Sequence, residues 1–384
     1  MFIGDNGSQT EMLGKILFKI ESMEAANKNL TRKIIKIEHE VKQNGEKLDE
    51  IMNHMGLPAP TTESGKYILK LPLLSSYSNK KYIAGDQFLT LIVGGSDDFS
   101  EQKSSEVVVL QDENNCTHSV PDLPIAINFQ PSLILTPDQK IILCGGRPRN
   151  NEKTCWELKS NTWEFHSSLI QKRSLASAVS MKNGVFLFGG PDWEWLPRGS
   201  SQWKFGGRIK RSNPNQPGFM AGCAVKVSED VIALIGGQDS NRNGMKKVLT
   251  YDTKNRKWRD LGNILKEGRY GHACVSFQNR IIVVGGSSGS DYLASTEIIN
   301  VQDLTISTFS GNLHQARGHH GLVVAHVGTK LSVMAIGGGN REQFLDSIET
   351  WDETTGNWTK SDVRLSFPRY EFGYLSIPSH LVCP

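Results

Sequence analysis

Ile282-Val283-Val284-Gly285-Gly286 is one of six places where a short apolar run ends in two glycines. The others are Leu91-Ile92-Val93-Gly94-Gly95, Ile142-Leu143-Cys144-Gly145-Gly146, Phe186-Leu187-Phe188-Gly189-Gly190, Ala233-Leu234-Ile235-Gly236-Gly237 and Met334-Ala335-Ile336-Gly337-Gly338. Successive pairs are 51, 44, 47, 49 and 52 residues apart. A period near 50, held six times, means one structural unit repeated. The repeat decides the fold and says less about chemistry, because repeat folds carry function in their loops.

Aligned on the glycines, a second pattern emerges. Trp156 and Trp163, Tyr251 and Trp258, and Trp351 and Trp358 stand seven apart, with polar turn residues such as Asp252-Thr253-Lys254-Asn255 between them. About ten residues further on, an arginine opens another apolar run: Arg173, Arg269, Arg317 and Arg369. Each unit therefore reads as four short strands, A to D, with Gly-Gly ending strand B. Four-stranded units in radial repetition make a β-propeller. The expected fold is all-β, a six-bladed propeller of four-stranded blades, preceded by an α-helical coiled coil.

Over about residues 85–377 these features resemble the kelch family, on the Gly-Gly runs, the aromatic pairs and the arginine that opens strand A. Some units depart from the pattern. Unit five has Ile299 and Ile306 where aromatics belong, and unit one is aliphatic around Val107–Leu110. Unit three continues from Gly190 with Pro-Asp-Trp-Glu-Trp-Leu-Pro-Arg, and Trp203 finds no partner at plus seven. The last strand A, residues 369–377, has no strand B after it, so it is expected to complete unit one, a closure that many kelch propellers use. Lys80–Ala84 competes as an alternative strand A, and Tyr67–Leu71 as an extra strand.

Upstream, residues step by alternating threes and fours. Leu13, Ile20, Asn27, Ile34, Val41, Leu48 and Met55 fall at heptad position a, and Ile16, Met23, Leu30, Ile37, Asn44 and Ile51 at d. Six unbroken heptads predict a coiled coil of about 65 Å, at about 1.5 Å per residue. Lys19 faces Glu24, and Lys33 faces Glu38, of a parallel partner. Asn27 at a favours two strands, whereas Ile34 and Ile37 pull toward three or four. A single amphipathic helix docked on the globular part is the competing reading, but it would show a wider apolar stripe. The expected organisation is a tail (1–11), a parallel oligomerisation helix (12–55), a linker with a possible extra strand (56–84), the propeller (85–378) and a tail (379–384).

The 384 residues are 38% hydrophobic and 22% charged, with a net charge of +3. That charge is too small to argue for nucleic acid, and no apolar stretch approaches the roughly 18 residues of a membrane span. The N-terminus lacks the basic and apolar regions of a secretory signal. Six cysteines (116, 144, 155, 223, 274 and 383) are scattered without a Cys-x-x-Cys, which favours a reduced, cytoplasmic protein.

In a four-stranded meander the B–C and D–A loops share one face. That face is expected to gather Arg147, Arg149, Arg173, Arg198, Arg242, Arg269, Arg317, Arg341 and Arg369 with Trp193, Trp195, Tyr270, Tyr292, Phe344 and Tyr370. Arginine and aromatic rings are enriched in interface hot spots, and such a face suits a protein partner with a short acidic motif. The strand-A arginines recur with the repeat, so a structural role in each blade competes with that reading. Glu342 and Asp346 have the spacing of the first two iron ligands of kelch specifier proteins, but the third place is Thr350. His319-His320 brings no third ligand, and His320 repeats the place of His272, so neither metal nor cofactor is expected. The function expected is non-catalytic protein binding or scaffolding by a homo-oligomer. The alternatives are an enzyme acting on a sugar or small metabolite at the axial pocket, and a cytoskeletal cross-linker or structural assembly protein. Deleting residues 1–56 is expected to convert an oligomer into a monomer in light scattering at micromolar concentration; a full-length monomer contradicts the heptad reading.

Overall fold

The computed structural model describes residues 61–63, 66–68, 88–97, 104–108, 120–146, 153–160, 162–209, 219–307, 311–328 and 330–381. The heptad segment 12–55 and Lys80–Ala84 lie outside the described residues, as do Arg147 and Arg149. The chain divides into two units, Met1–Asn79 and Lys80–Pro384. In the first, Thr61–Glu63 pairs antiparallel with Lys66–Ile68.

The second unit is a six-bladed propeller. Blade 2 runs Ser132–Leu135, Ile141–Cys144, Thr154–Lys159 and Thr162–Ser168 as strands A to D. Blade 3 runs Ser177–Met181, Gly184–Phe188, Asp192–Pro197 and Lys204–Arg208, and blade 4 Cys223–Lys226, Val231–Ile235, Lys247–Asp252 and Lys257–Asn263. Blade 5 runs Ala273–Phe277, Arg280–Val284, Thr296–Asn300 and Ile306–Ser307, and blade 6 Gly321–Val327, Lys330–Ile336, Ser347–Trp351 and Trp358–Arg364. Blade 1 joins the two ends of the unit: strand A, Gly373–Pro378, pairs antiparallel with strand B, Phe88–Val93, which pairs with Ser105–Val108. Each A strand touches the A strands of both neighbouring blades, so these strands ring the axis.

The amino-acid pattern explains this layering. Strands B are continuous apolar runs because neighbouring blades cover both faces; Ile281 through Val284 are fully buried. Strands D form the outer rim and carry charge, as in Lys257–Asn263. Among the described residues the core falls into six clusters, one in each seam between blades. The seam between blades 3 and 4, for example, holds Phe186, Phe188 and Trp193 against Ile232, Leu234 and Tyr251.

Blade 3 departs from its expected reading. Its B–C link is only Gly189-Gly190-Pro191, so the residues expected in a loop form strand C, with Phe188 opposite Trp193 and Phe186 opposite Trp195. Trp193 is 5% exposed, within the core. Arg198 follows strand C and emerges at the opposite end of the blade, 2.7 Å from Asp138. Leu196 stands seven before Trp203 and takes the place of the first aromatic, as Ile299 does opposite Ile306 in blade 5. In blade 2 a tighter turn sets Trp163 opposite Leu158 and Trp156 opposite Phe165, so the two tryptophans are not a cross-strand pair.

The thiols also differ from expectation. Strand register places Cys144 directly opposite Cys155, and the two form a disulfide. Cys223 and Cys274, on the A strands of blades 4 and 5, form another with their Cα atoms 5.8 Å apart, a separation a disulfide spans without backbone movement. Disulfides persist mainly in oxidising compartments, so the cysteine argument for a reduced, cytoplasmic protein no longer stands. Among the described residues no helix is long and apolar enough to cross a membrane.

In three seams a wedging side chain explains the Gly-Gly pairs. A Cβ built on Gly286, whose φ is +94°, would lie 2.7 Å from the His272 Cβ and from the Tyr270 carbonyl oxygen. His272 fits between Gly286 and Gly236, and His320 repeats this between Gly338 and Gly285. Phe372 does the same between Gly95 and Gly337. The place is thus one for packing. Among the described residues neither ring nitrogen of His320 has a hydrogen-bond partner. Burial pulls His272 from 6.5 down to about 3 and His320 well below 6.5. The unfolded chain therefore binds more protons below pH 6.5, and stability falls as pH drops from 6.5 toward 3. At pH 5 His272 alone is expected to cost about 2 kcal/mol. His272→Phe, the residue used in blade 1, is expected to flatten the fall in stability between pH 7 and pH 5 in urea melts, and an unchanged slope contradicts this account.

Candidate binding face at the propeller axis

Two residues before each strand A, the chain turns at the axis. Gln130, Leu175, Ala221, Gly271, His319 and Glu371 occupy this place, with φ of 50°, 51°, 50°, 59°, 50° and 55°. Such values are uncommon for residues with a Cβ. A closed circle of main-chain hydrogen bonds holds them. Leu175 N–H donates to Phe129 C=O, Ala221 to Leu175, Gly271 to Ala221, His319 to Gly271, Glu371 to His319 and Gln130 to Glu371, at 2.6–3.2 Å. Every seam is crossed once.

The side chains on this circle are unequal. Leu175, Ala221 and Gly271 are small or apolar, whereas His319, Glu371 and Gln130 bring polar groups to one side. A Cβ on Gly271 would sit 2.6 Å from His319 Nε2, so glycine makes room for the imidazole. His319 Nδ1 lies 3.3 Å from Gln130 Oε1 and 3.8 Å from Glu371 Oε1. Rings gather above. Tyr370 is 5.0 Å from His319 between centroids, Tyr270 is 6.4 Å from it, and Phe344 stacks on Tyr370 at 4.8 Å. The edge of Tyr292 occupies the space that a side chain on Gly318 would need.

Burial pulls His319 to about 4, so it is neutral near pH 7. Burial pushes the Glu371 carboxyl up to about 7. It also raises the Tyr370 phenol, and Glu371 raises it further. With both groups shifted toward their neutral forms, the 3.8 Å approach of His319 and Glu371 is not an ion pair.

The arginines that open strand A are occupied inside the blades. Arg317 Nη1 donates to the carbonyls of Gly337 and Ser347 at 3.0 and 2.9 Å, and Nη2 to Glu349 at 2.7 Å. Glu349 also accepts from the main-chain N–H groups of His314 and Gln315. Arg317 and Glu349 are both fully buried. Burial lowers the Arg317 pKa, and the carboxylate opposes that. Arg269 repeats the arrangement with Gly285, Ser295 and Glu297, and Arg369 with Gly94, Ser104 and Glu106. Arg173 does so with Gly189, Asp192 and Glu194. In blade 4, Phe219 and Leu249 stand at these two places, both in the apolar seam.

The KLHDC2/KLHL20/DRC7 Kelch-repeats domain matches residues 202–379. The six-bladed fold and this match make the chain similar to kelch-repeat β-propellers. Kelch-like protein 38 of Mus musculus is 22% identical over 320 residues, which cover 79% of this chain and 50% of that protein. Its Homo sapiens counterpart is 23% identical over 316 residues, covering 78% and 50%. Beta-scruin of Limulus polyphemus is 28% identical over 138 residues, covering 34% of this chain and 15% of that protein. The chain spans about half the length of the Kelch-like protein 38 sequences it matches.

On this propeller the residues expected at the loop face separate into groups. Tyr270 and Tyr370 meet at the axial mouth, with Tyr292 and Phe344. Arg173, Arg269, Arg317 and Arg369 are at most 3% exposed and do not reach the surface. Arg242 and Arg341 are exposed on B–C loops, and Arg341 lies 3.4 Å from Asp291, both about two-thirds exposed. Such a pair contributes little. Trp193 and Trp195 belong to strand C, and Arg198 to the other end of blade 3. Sequence reasoning missed Gln130 and Glu371 and considered His319 only as a metal ligand. Among the described residues no set of three or more His, Cys, Asp or Glu side chains is placed to hold a metal ion. The position was legible: in four blades the axial residue stands two after the arginine, as in Arg317-Gly318-His319 and Arg369-Tyr370-Glu371.

Blade 4 suggests how to separate packing from pairing. Glu349→Leu alone leaves Arg317 buried without its carboxylate and is expected to cost about 3–5 kcal/mol. The pair Arg317→Phe with Glu349→Leu copies blade 4 and is expected to recover most of that loss in urea unfolding. A double variant as unstable as the single one contradicts this.

Proposed function

We propose that this propeller is a non-catalytic protein-binding or scaffold component that engages its partner through the axial mouth and the loops around it. The observation that carries the reading is the convergence of Tyr270, Tyr292, Phe344 and Tyr370, all partly exposed, on one opening braced by the closed hydrogen-bond circle. Aromatic side chains held rigidly lose little freedom on binding and suit hot spots. Arg242 and Arg341 remain available at the rim for an acidic segment of the partner. The similarity to Kelch-like protein 38 supports an interaction role in general terms and names no partner. Self-association through residues 12–55 would present several mouths together and raise avidity.

A second reading, catalysis on a small molecule at the axis, is favoured by the meeting of Glu371, His319 and Tyr370, since shifted ionisable groups gather at functional sites. The two readings differ in what a ring truncation does. Tyr370→Ala with Phe344→Ala in the full chain is expected to lower recovery of a co-purifying partner by about tenfold or more, with the melting temperature little changed. Recovery unchanged in a folded variant rejects the mouth as the binding surface.

A further inference from the structure

Four strand-C glutamates and the axial Glu371 differ in what faces their carboxylates. Glu106, Glu194, Glu297 and Glu349 each lie within 3.4 Å of an arginine nitrogen of the same blade. Glu371 is 12% exposed at the side chain, on the axial circle itself. Among the described residues no lysine or arginine nitrogen comes within ion-pair distance of it; its one basic neighbour is His319 Nδ1 at 3.8 Å, on an imidazole that burial keeps neutral. The fold thus supplies a cation to the other four carboxylates and none to the one at the axis. Burying a carboxylate without a counter-charge is unfavourable, which is why the Glu371 carboxyl is pushed up to about 7. Tyr370 is next to it in the chain, and Tyr270 and Tyr370 both lie beside His319. A ring face attracts a cation, most strongly where water is excluded. A carboxylate ligand entering the same opening would meet Glu371 and no cation.

We propose that the axial mouth takes a cationic side chain, the arginine or lysine of a protein partner, with Glu371 as its counter-charge and the rings of Tyr270, Tyr292 and Tyr370 around it. The inference rests on the mouth being a partner-binding surface and adds what enters its centre. An acidic segment of the same partner is left to the rim arginines, Arg242 and Arg341.

The test uses the full chain and three glycine–serine nonapeptides that differ only in a central arginine, lysine or glutamate. Binding is followed by ligand-detected NMR. The arginine and lysine peptides are expected to bind at least about tenfold more tightly than the glutamate peptide, the size of a charge-assisted contact with a ring at its side. Glu371→Gln keeps the shape and removes the charge, and it is expected to abolish that preference with a melting temperature equal to or above that of the parent. Tyr270→Leu is expected to weaken the arginine peptide and leave the glutamate peptide unaffected. Equal binding of the three peptides, tighter binding of the glutamate peptide, no binding of any of them, or a preference that survives Glu371→Gln overturns the proposal. Should the peptides fail while the Tyr370→Ala, Phe344→Ala variant still loses its partner, the cation falls and the binding face stands.

Discussion

Blade 1 is built from two distant parts of the sequence, and the rest of the propeller depends on their pairing. Gly373–Pro378 lies beside Phe88–Val93 in full register, with Gly373 opposite Val93 and Pro378 opposite Phe88. Without that pairing the seams on either side of blade 1 would open, exposing Leu91, Val93 and Ile377 on one side and Ile92 and Phe372 on the other. The axial circle would break at the same point, because Glu371 both receives from Gln130 and donates to His319. The arrangement of the mouth is therefore a consequence of closure: its two most polar members sit on either side of the seam that brings the ends together.

Inside each blade, a different division of labour holds the loops. Four arginines reach from the arriving D–A segment to strands B and C, and four glutamates gather the main-chain N–H groups of that same segment. A buried ion pair is weak evidence for stability, and blade 4, with Phe219 and Leu249, shows that an apolar pair can stand there. What the arginine adds is direction. Its hydrogen bonds to two carbonyls and a carboxylate fix where the chain enters strand A, and so where the axial residue projects.

The architecture was legible in the sequence because its signals are repeated. Six Gly-Gly pairs in phase mark six strands B, and each is legible because a histidine, phenylalanine or other group must fit against it. Side-chain roles were legible only where the spacing held. In blade 3 a three-residue link moves Trp193 and Trp195 from a loop to a strand, and nothing in composition distinguishes the two. The arginines were found, but a surface and a structural role stayed in competition, because a positively charged residue next to a loop gives no hint of a glutamate 21 to 32 residues onward, or in blade 1 at the other end of the ring. Glu371 was overlooked, and His319 weighed only as a metal ligand, for the converse reason. Their importance comes from the axis, where residues from six blades meet, and no local window contains it. The Cys223–Cys274 disulfide was missed on similar grounds, since the two thiols are neighbours only across a seam.

The manner of closure also sets an order of events during synthesis. Gly373–Pro378 leaves the ribosome after every other strand of the ring, while its partner Phe88–Val93 has been waiting since the first blade. Until the last segment arrives, the nascent ring is an arc with an unpaired strand edge at its beginning, the kind of edge that recruits other chains. Blades 2 to 6 are each made of consecutive strands and can form in sequence, but blade 1 cannot. The growing arc therefore has one vulnerable end for most of its time in the cell's translation machinery, and that end is where chaperone protection matters most.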